Sequence, residues 1–404
     1  MAGLLSTWKS IAELDLTSKK GSRINSILSQ ADFGYLARQA VHARRAEDGT
    51  KLPPDLVATF SCTRFMSGHN NFVLEVTFSD NVIWLARIHM GMEEQTVEDV
   101  VSEITTMRLV KKRTTIPVPK IYAFDATVNN PFGYQYILME LLHGKRTRLG
   151  LVPSVPSIHH QKVARQIANI LLELSQITFD RIGRLIALTE GGPITVIGSK
   201  YHNVVSPMAT SLEYFYGDRY GENLEIYESH QDDAQWNTAS WILTTGLAHL
   251  IIPDLSNGPF PLSHQDLHFG NILFDDEFNI SGVIDWSSAQ TAPLESLCIL
   301  PDFTLYKARG ARIKDVQDFK NLIVQAPEES STGTSAYSTK ARYMAAYMAS
   351  DQSELNSRLQ ATPSRFALDT AETFVKHIYG TTISWEQLVE IYGKLPIPRA
   401  LKTS

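Results

Sequence analysis

Between residues 264 and 286 the chain reads His264-Gln265-Asp266-Leu267-His268-Phe269-Gly270-Asn271-Ile272-Leu273-Phe274, then a polar turn, then Gly282-Val283-Ile284-Asp285-Trp286. An Asp, an Asn and a second Asp in this order are what metal-assisted phosphoryl transfer needs. The first carboxylate receives the proton of an attacking hydroxyl. The amide oxygen and the second carboxylate hold Mg²⁺ against the phosphates of a nucleotide. Asp266 and Asn271 are separated by four residues, a loop length that can aim both into one cleft. Ile272-Leu273-Phe274 and Ile280-Ser281-Gly282-Val283-Ile284 read as two arms of a hairpin around 275–279, which would return Asp285 beside Asn271. His264 suits bracing this loop better than chemistry. A zinc site on His264-x-Asp266-x-His268 would need further converging ligands, and the neighbouring sequence has no other His or Cys.

Two features nearer the N-terminus complement this stretch. Ser67-Gly68-His69-Asn70 links two strand-like segments, and its backbone N–H groups suit folding over phosphates, although an ordinary hairpin loop fits the same residues. Arg87 stands in the apolar run Trp84-Leu85-Ala86-Arg87-Ile88, where a cation needs a partner or a function. The two-residue strand period puts Leu85 on its face, so Leu85 can cover a base while Arg87 reaches phosphates. Glu103 lies in a helical pattern at the edge of its apolar stripe, and an Arg87–Glu103 pair would satisfy both charges.

The elements that must position these residues follow from periodicity. Phe72, Leu74, Val76 and Phe78 alternate with less apolar residues, Ser79-Asp80-Asn81 is a turn signal, and 82–88 is the next strand. Residues 93–112 have helical spacing, acidic at the start and basic at the end, and Ile116-Pro117-Val118-Pro119 stops them. Strands follow near 120–124 and 134–140. Beyond His143-Gly144 the chain turns helical, with apolar stripes through Val163, Ile167, Ile170 and Leu174 and through Trp241, Leu247, Leu250 and Ile251. Residues 190–230, rich in Gly, Tyr and Asn, read as a long irregular connection. Helical patterns resume from about 302, and residues up to about 50 carry helical spacing of their own.

With 404 residues, 43% apolar and 20% charged, the chain has the composition of a globular protein with ample core. A net charge of −6 gives no basic footprint for nucleic acid. No apolar run approaches the ~20 residues of a membrane span, and the start lacks a signal-peptide pattern. Two distant cysteines, Cys62 and Cys298, fit a reducing, cytoplasmic setting.

The motif region resembles that of the aminoglycoside phosphotransferase and choline kinase-like family, small-molecule relatives of the protein kinases. The family pattern H-x-D-x-x-x-x-N followed by I-D-W stands here as His264-Gln265-Asp266 to Asn271 and Ile284-Asp285-Trp286. The likeness extends through Arg64 to Asn70, Glu103, Ile116-Pro117-Val118-Pro119, Ile137-Leu138-Met139-Glu140, Ile182-Gly183 and Pro293-Leu294-Glu295, roughly residues 55 to 300. It implies an α+β, bilobal protein-kinase-like fold: an antiparallel sheet lobe with one inserted helix, then a larger, mainly helical lobe. The expected division is a helical extension over 1–50, a nucleotide-binding lobe over 51–143 and a catalytic and substrate-binding lobe over 144–404.

The resemblance also implies ATP and Mg²⁺ as cofactors. Asp266 would be the catalytic base, Asn271 and Asp285 the metal ligands, and Arg87 with Glu103 the phosphate-anchoring pair. The backbone of Met139, Glu140 and Leu141 would be the hinge that hydrogen-bonds the adenine. The chain departs from the family where Arg87 replaces the usual lysine, a longer and planar cation, and in its glycine-poor phosphate loop. Gln265 and Trp286 replace residues of the protein kinase motifs, which argues against a protein substrate. The expected function is phosphoryl transfer to a hydroxyl of a small molecule, with an inactive nucleotide-binding member of the fold or a protein kinase as alternatives. Tyr214, Tyr216, Glu225, Glu228, Asp232, Asp233, Trp236 and Trp241 leave a cationic acceptor open by charge and cation–π contact. Nothing in the sequence sets the oligomeric state.

Overall fold

The computed structural model describes residues 8–49, 52–61, 63–147, 155–199, 206–299, 321–325, 336–361, 366–380 and 382–398. Cys62 and part of the helical run expected from about 302 lie outside the described residues.

The N-terminal part is one antiparallel sheet. Its strands are β1 (Lys9–Ser10), β2 (Ala58–Phe60), β3 (Arg64–Ser67), β4 (Asn71–Phe78), β5 (Ile83–His89), β6 (Ile121–Asp125) and β7 (Tyr136–Glu140). They run in the order β1-β3-β4-β5-β7-β6, with β2 also pairing β4. Strand periodicity sorts their side chains between two faces. Phe72, Leu74, Val76 and Phe78 are buried in a core shared with α1 (Lys19–Gln30) and α2 (Phe33–Asp48). Val73 and Arg87 stand opposite each other in register, as do Leu85 and Met139, and these four face the other way, toward the cleft.

The inserted helix α3 (Val97–Arg113) is fixed at its start by a capping box between Thr96 and Asp99. Three basic residues, Lys111, Lys112 and Arg113, occupy its last turn, where the helix dipole favours them. Val100, Ile104, Met107 and Val110 do not join the core under the sheet. They belong to a core that continues through Ile116 and Val118 into α4 (His160–Ser175). The helix is therefore welded to the large lobe while it presents Glu103 to the small one.

In the large lobe follow β8 (Thr178–Phe179), β9 (Arg184–Ile186), β10 (Thr195–Ile197), α5 (Ser211–His230), α6 (Ala234–Gly246), β11 (Phe260–Ser263), β12 (Ile272–Phe274), β13 (Ile280–Val283), β14 (Gln290–Thr291) and α7 (Leu294–Leu297). The described helices beyond include α8 (Ala336–Met348), α9 (Asp351–Ala361), α10 (Ala367–Tyr379) and α11 (Trp385–Tyr392). Two sequence expectations are corrected here. The second half of 190–230 is not irregular but the 20-residue helix α5. Its periodicity is hidden because the buried face carries Arg219 and Asn223 beside Tyr214, Phe215 and Ile226. Asn223 is satisfied there by the Thr244 hydroxyl and the Pro398 carbonyl. The N-terminal region is not helical alone, since Lys9 and Ser10 add a strand to the sheet edge opposite Phe65 and Arg64. Among the described residues no helix is long and apolar enough to cross a membrane.

Candidate active site

The loop carrying Asp266 and Asn271 leaves β11, whose four residues are all buried, through a left-handed residue, Gln265 (φ 62°). His264 is buried and donates from Nε2 to the Ile284 carbonyl at 3.1 Å. Burial lowers its pKa to about 4, so the ring is neutral and acts as a brace. Asn271 then closes the loop: its Nδ2 donates to the Asp266 carbonyl at 2.9 Å and to Asp266 Oδ2 at 3.0 Å. His268 accepts from Gly270 N at 2.9 Å through Nδ1, which turns Nε2 toward Asp266 Oδ1, 3.5 Å away. Burial, with the negative charge of Asp285, raises the Asp266 pKa against the opposing pull of His268 and Asn271. A carboxylate tuned in that direction is a better proton acceptor.

The hairpin brings the third residue back. Ile272 pairs with Val283, and Ile284 N donates to the Asn271 carbonyl at 3.0 Å. The next residue, Asp285, is left-handed (φ 65°, ψ 64°), so its side chain breaks away from the strand direction. Trp286 anchors the turn, fully buried, with Nε1 donating to Val283 O at 3.0 Å. The proline-bounded linker after α3 supports the same hairpin, since Val283 N donates to Pro117 O at 2.8 Å. Gly144 permits the close crossing of the segment after β7: a Cβ there would collide with Ser281 Oγ and the Leu273 side chain.

Above this floor, Arg87 Nη1 donates to Glu103 Oε1 at 2.6 Å, and Nη2 pairs with Oε2, a bidentate contact. Glu103 is fully buried and Arg87 nearly so. Burial alone would lower the guanidinium pKa, but the charge and hydrogen bonds of Glu103, with Asp285 beyond, raise it. The Glu103-bearing helix is itself held to the large lobe by ion pairing of Arg184 on β9 with Asp99.

Between floor and roof lies a cavity of about 430 Å³. Its wall includes Gly68, His69, Asn70, Arg87, Glu103, Met139, Glu140, Leu141, Asn271 and Asp285 from the sequence-derived set. Asp266 is not part of that wall but joins it through Asn271. Ser67 lies outside the wall. His69 Nε2 and Asn70 Nδ2 each contact Glu93 at 2.9 Å, so these side chains fasten the loop. The Glu140 carboxylate accepts from Lys111 Nζ and Lys120 N, both at 2.9 Å. Among the described residues the backbone of Leu141 and Leu142 carries no hydrogen bond to the rest of the chain, as a base-recognising hinge requires.

Sequence reasoning missed several wall residues. Val73, Leu273 and Ile284 supply apolar surface to the cavity, and Trp8 and Arg146 also line it. Burial lowers the Arg146 pKa against the pull of Asp285, and its Nε is buried without a hydrogen-bond partner. No spacing in the sequence marks Trp8 or Arg146, because each reaches the cavity by long-range packing. Four of the eight residues considered for a cationic acceptor are engaged elsewhere. Tyr214 is core and donates to Gln265 Oε1 at 3.1 Å. Asp233 caps α6, Trp236 stacks on His230, and Trp241 Nε1 donates to Pro396 O.

Among the described residues no group of three or more His, Cys, Asp or Glu is placed to hold a metal. The donors at the cleft are instead one amide and one carboxylate. The Asn271 amide nitrogen is committed to Asp266, which leaves its oxygen available, and Asp285 Oδ1 accepts from Ser287 Oγ at 2.9 Å. Two hard oxygen donors fit Mg²⁺ that takes its remaining ligands from phosphates and water.

A two-lobed α+β fold with these features around a cavity of nucleotide size defines a small-molecule kinase class. The model of the phosphotransferase enzyme family matches residues 61–296, more than half of the chain, and the chain belongs to that family. It is thus a phosphotransferase. Among curated proteins it is 26% identical over 276 residues to clavilactone A biosynthesis cluster protein Y of Ampulloclitocybe clavipes, covering 63% of this chain and 67% of that one. It is 28% identical over 145 residues to altered inheritance of mitochondria protein 9 of Yarrowia lipolytica, covering 33% of this chain and a quarter of that one. Similar solved structures include a macrolide 2'-phosphotransferase from Brachybacterium faecium (14% identity, TM-score 0.42, 85% of this chain and 99% of that one). A Plasmodium vivax ethanolamine kinase is similar at 15% identity and TM-score 0.42, over 87% of this chain and 85% of that one.

Proposed function

We propose that the chain transfers the γ-phosphoryl group of ATP, with Mg²⁺, to a hydroxyl of a small molecule. One observation carries this reading: Asn271 holds Asp266 with one end of its amide, while the Ile284–Asn271 backbone bond returns Asp285 to the same cavity wall. In the reaction Asp266 receives the acceptor's hydroxyl proton as the new P–O bond forms and the bond to the ADP oxygen breaks. Asn271 and Asp285 would hold Mg²⁺, which when bound supplies positive charge against the phosphate oxygens. Arg87, kept in place by Glu103, and Arg146 face the phosphates. Val73, Leu85, Leu273 and Ile284 enclose the base, whose edge hydrogen-bonds the free backbone after Glu140. On this reading residues 51–143 bind the nucleotide and 144–404 carry the catalytic groups and the acceptor.

The test is incubation of purified full-length protein with γ-labelled ATP, Mg²⁺ and a panel of hydroxylated metabolites, beside Asp285→Ala. Labelled product from one acceptor class, abolished by Asp285→Ala or by chelation, is the expected result. ATP binding with no transfer to any member of a broad panel favours a nucleotide-binding protein without turnover. Label appearing only on protein added to the assay would make it a protein kinase.

A further inference from the structure

We infer that Trp8, delivered by the N-terminal strand β1, is a base-binding residue of the nucleotide cavity. This rests on the nucleotide reading above and assigns a role to a segment outside the matched residues 61–296.

Trp8 immediately precedes β1. Lys9 pairs with Phe65 and Ser10 with Arg64, and Ile11 N donates to Thr63 O at 2.9 Å. The antiparallel register therefore sets Trp8 across from Met66, and both residues line the cavity. The indole belongs to none of the apolar cores, whereas Ile11 and Leu14, a few residues on, pack against the sheet core. One face of its ring is covered by Arg64, whose guanidinium carbon lies 5.1 Å from the ring centroid.

Arg64 is itself fixed. Its Nε and Nη2 donate to the two carboxylate oxygens of Glu75 at 2.8 and 2.6 Å. Glu75 is a buried residue on the cleft-facing side of β4, two positions from Val73. A chain of contacts from Glu75 through Arg64 thus holds an aromatic ring in the cavity wall. No other aromatic ring stacks on it among the described residues. A tryptophan with a cation behind it and no core to fill is suited to stack on or edge a purine. It also compensates for what the phosphate loop lacks, since a glycine-poor loop tied to Glu93 gives little backbone closure over the ligand.

The experiment measures binding of ADP and of inorganic tripolyphosphate, each with Mg²⁺, to full-length wild type, Trp8→Ala, Trp8→Leu and Trp8→Phe by calorimetry. Tripolyphosphate has no base, so it separates stacking from loop placement. The expected result is about tenfold weaker ADP binding in Trp8→Ala and Trp8→Leu, from the usual range for aromatic–base stacking. Trp8→Phe should bind within about threefold of wild type, and tripolyphosphate should bind all four proteins alike. Unchanged ADP binding in Trp8→Leu would overturn the inference. Equal loss of ADP and tripolyphosphate would also overturn it, since the indole would then act through the loop. If wild type binds neither ligand, the nucleotide reading itself fails, which is a different result from either of these.

Discussion

In the floor of the cleft, Asn271 reaches back five residues to Asp266, and Ile284 reaches back thirteen to Asn271. In the roof, the contacts join Trp8 to Arg64, Arg64 to Glu75, His69 to Glu93, and Arg87 to Glu103. The floor is a local structure, one loop and one hairpin, whose hydrogen bonds fix side chains within a single stretch of sequence. The roof is assembled from segments that only the sheet brings together. On the proposed function, the groups whose geometry must not vary sit on the local structure, and ligand enclosure is left to the long-range one.

The largest effect expected from breaking the floor is on turnover. Asp266→Asn should lower kcat by about 10²-fold or more, with the melting temperature little changed because the residue is half exposed. In the wild type, activity should fall as pH drops through the Asp266 pKa, which burial and Asp285 move upward from the usual aspartate value, so the acid limb of kcat/KM is displaced in that direction. A pH–rate profile that stays flat through the whole carboxylate range would contradict that tuning.

The roof should fail first in stability. Arg87→Ala leaves the fully buried Glu103 carboxylate without its partner, and such losses cost about 3–5 kcal/mol, read from urea unfolding. Arg87→Lys keeps the charge but not the paired hydrogen bonds, and should lie between wild type and Arg87→Ala.

A smaller effect returns to the floor. Burial holds His264 near pKa 4, against 6.5 for an ordinary imidazole. The unfolded chain therefore takes up this proton first. Stability is retained above pH 6.5 and falls by about 1.4 kcal/mol per unit as pH drops from there to about 4. His264→Gln should flatten that part of the stability–pH curve; an unaltered slope would assign the acid sensitivity to other groups.

The smallest effect lies in the phosphate loop. His69, Asn70 and Glu93 meet at the exposed surface, so Glu93→Ala should cost under about 1 kcal/mol. It should still raise the KM for ATP a few-fold by freeing the loop, while kcat is unchanged.

How far the sequence could be read follows the same division. Asp266, Asn271 and Asp285 stood out because a fixed spacing and a hairpin pattern are properties of adjacent residues. Arg87 stood out because a cation in an apolar strand is costly, and that cost is visible without knowing the partner. Ser67 was drawn in by adjacency to a loop whose strand geometry turns it away from the cavity. The helix α5 was missed because burying Arg219 and Asn223 erases the apolar stripe by which a helix is recognised. Tyr214 suggested a ligand contact and instead packs in the core, since an aromatic residue looks alike in either setting until its neighbours are known.

Adjacent residues alone were enough to order a sheet-rich lobe before a helical one and to bring three polar groups to the candidate floor, because both arise from periodicity and short-range hydrogen bonding. The tertiary structure alone decided that α3 is joined to the large lobe's core, that Arg146 reaches the cavity with a buried, unpartnered nitrogen, and that an N-terminal strand carries Trp8 to the cavity wall. Each of those depends on residues far apart in the chain becoming neighbours, and no local pattern records which distant segment a side chain will meet.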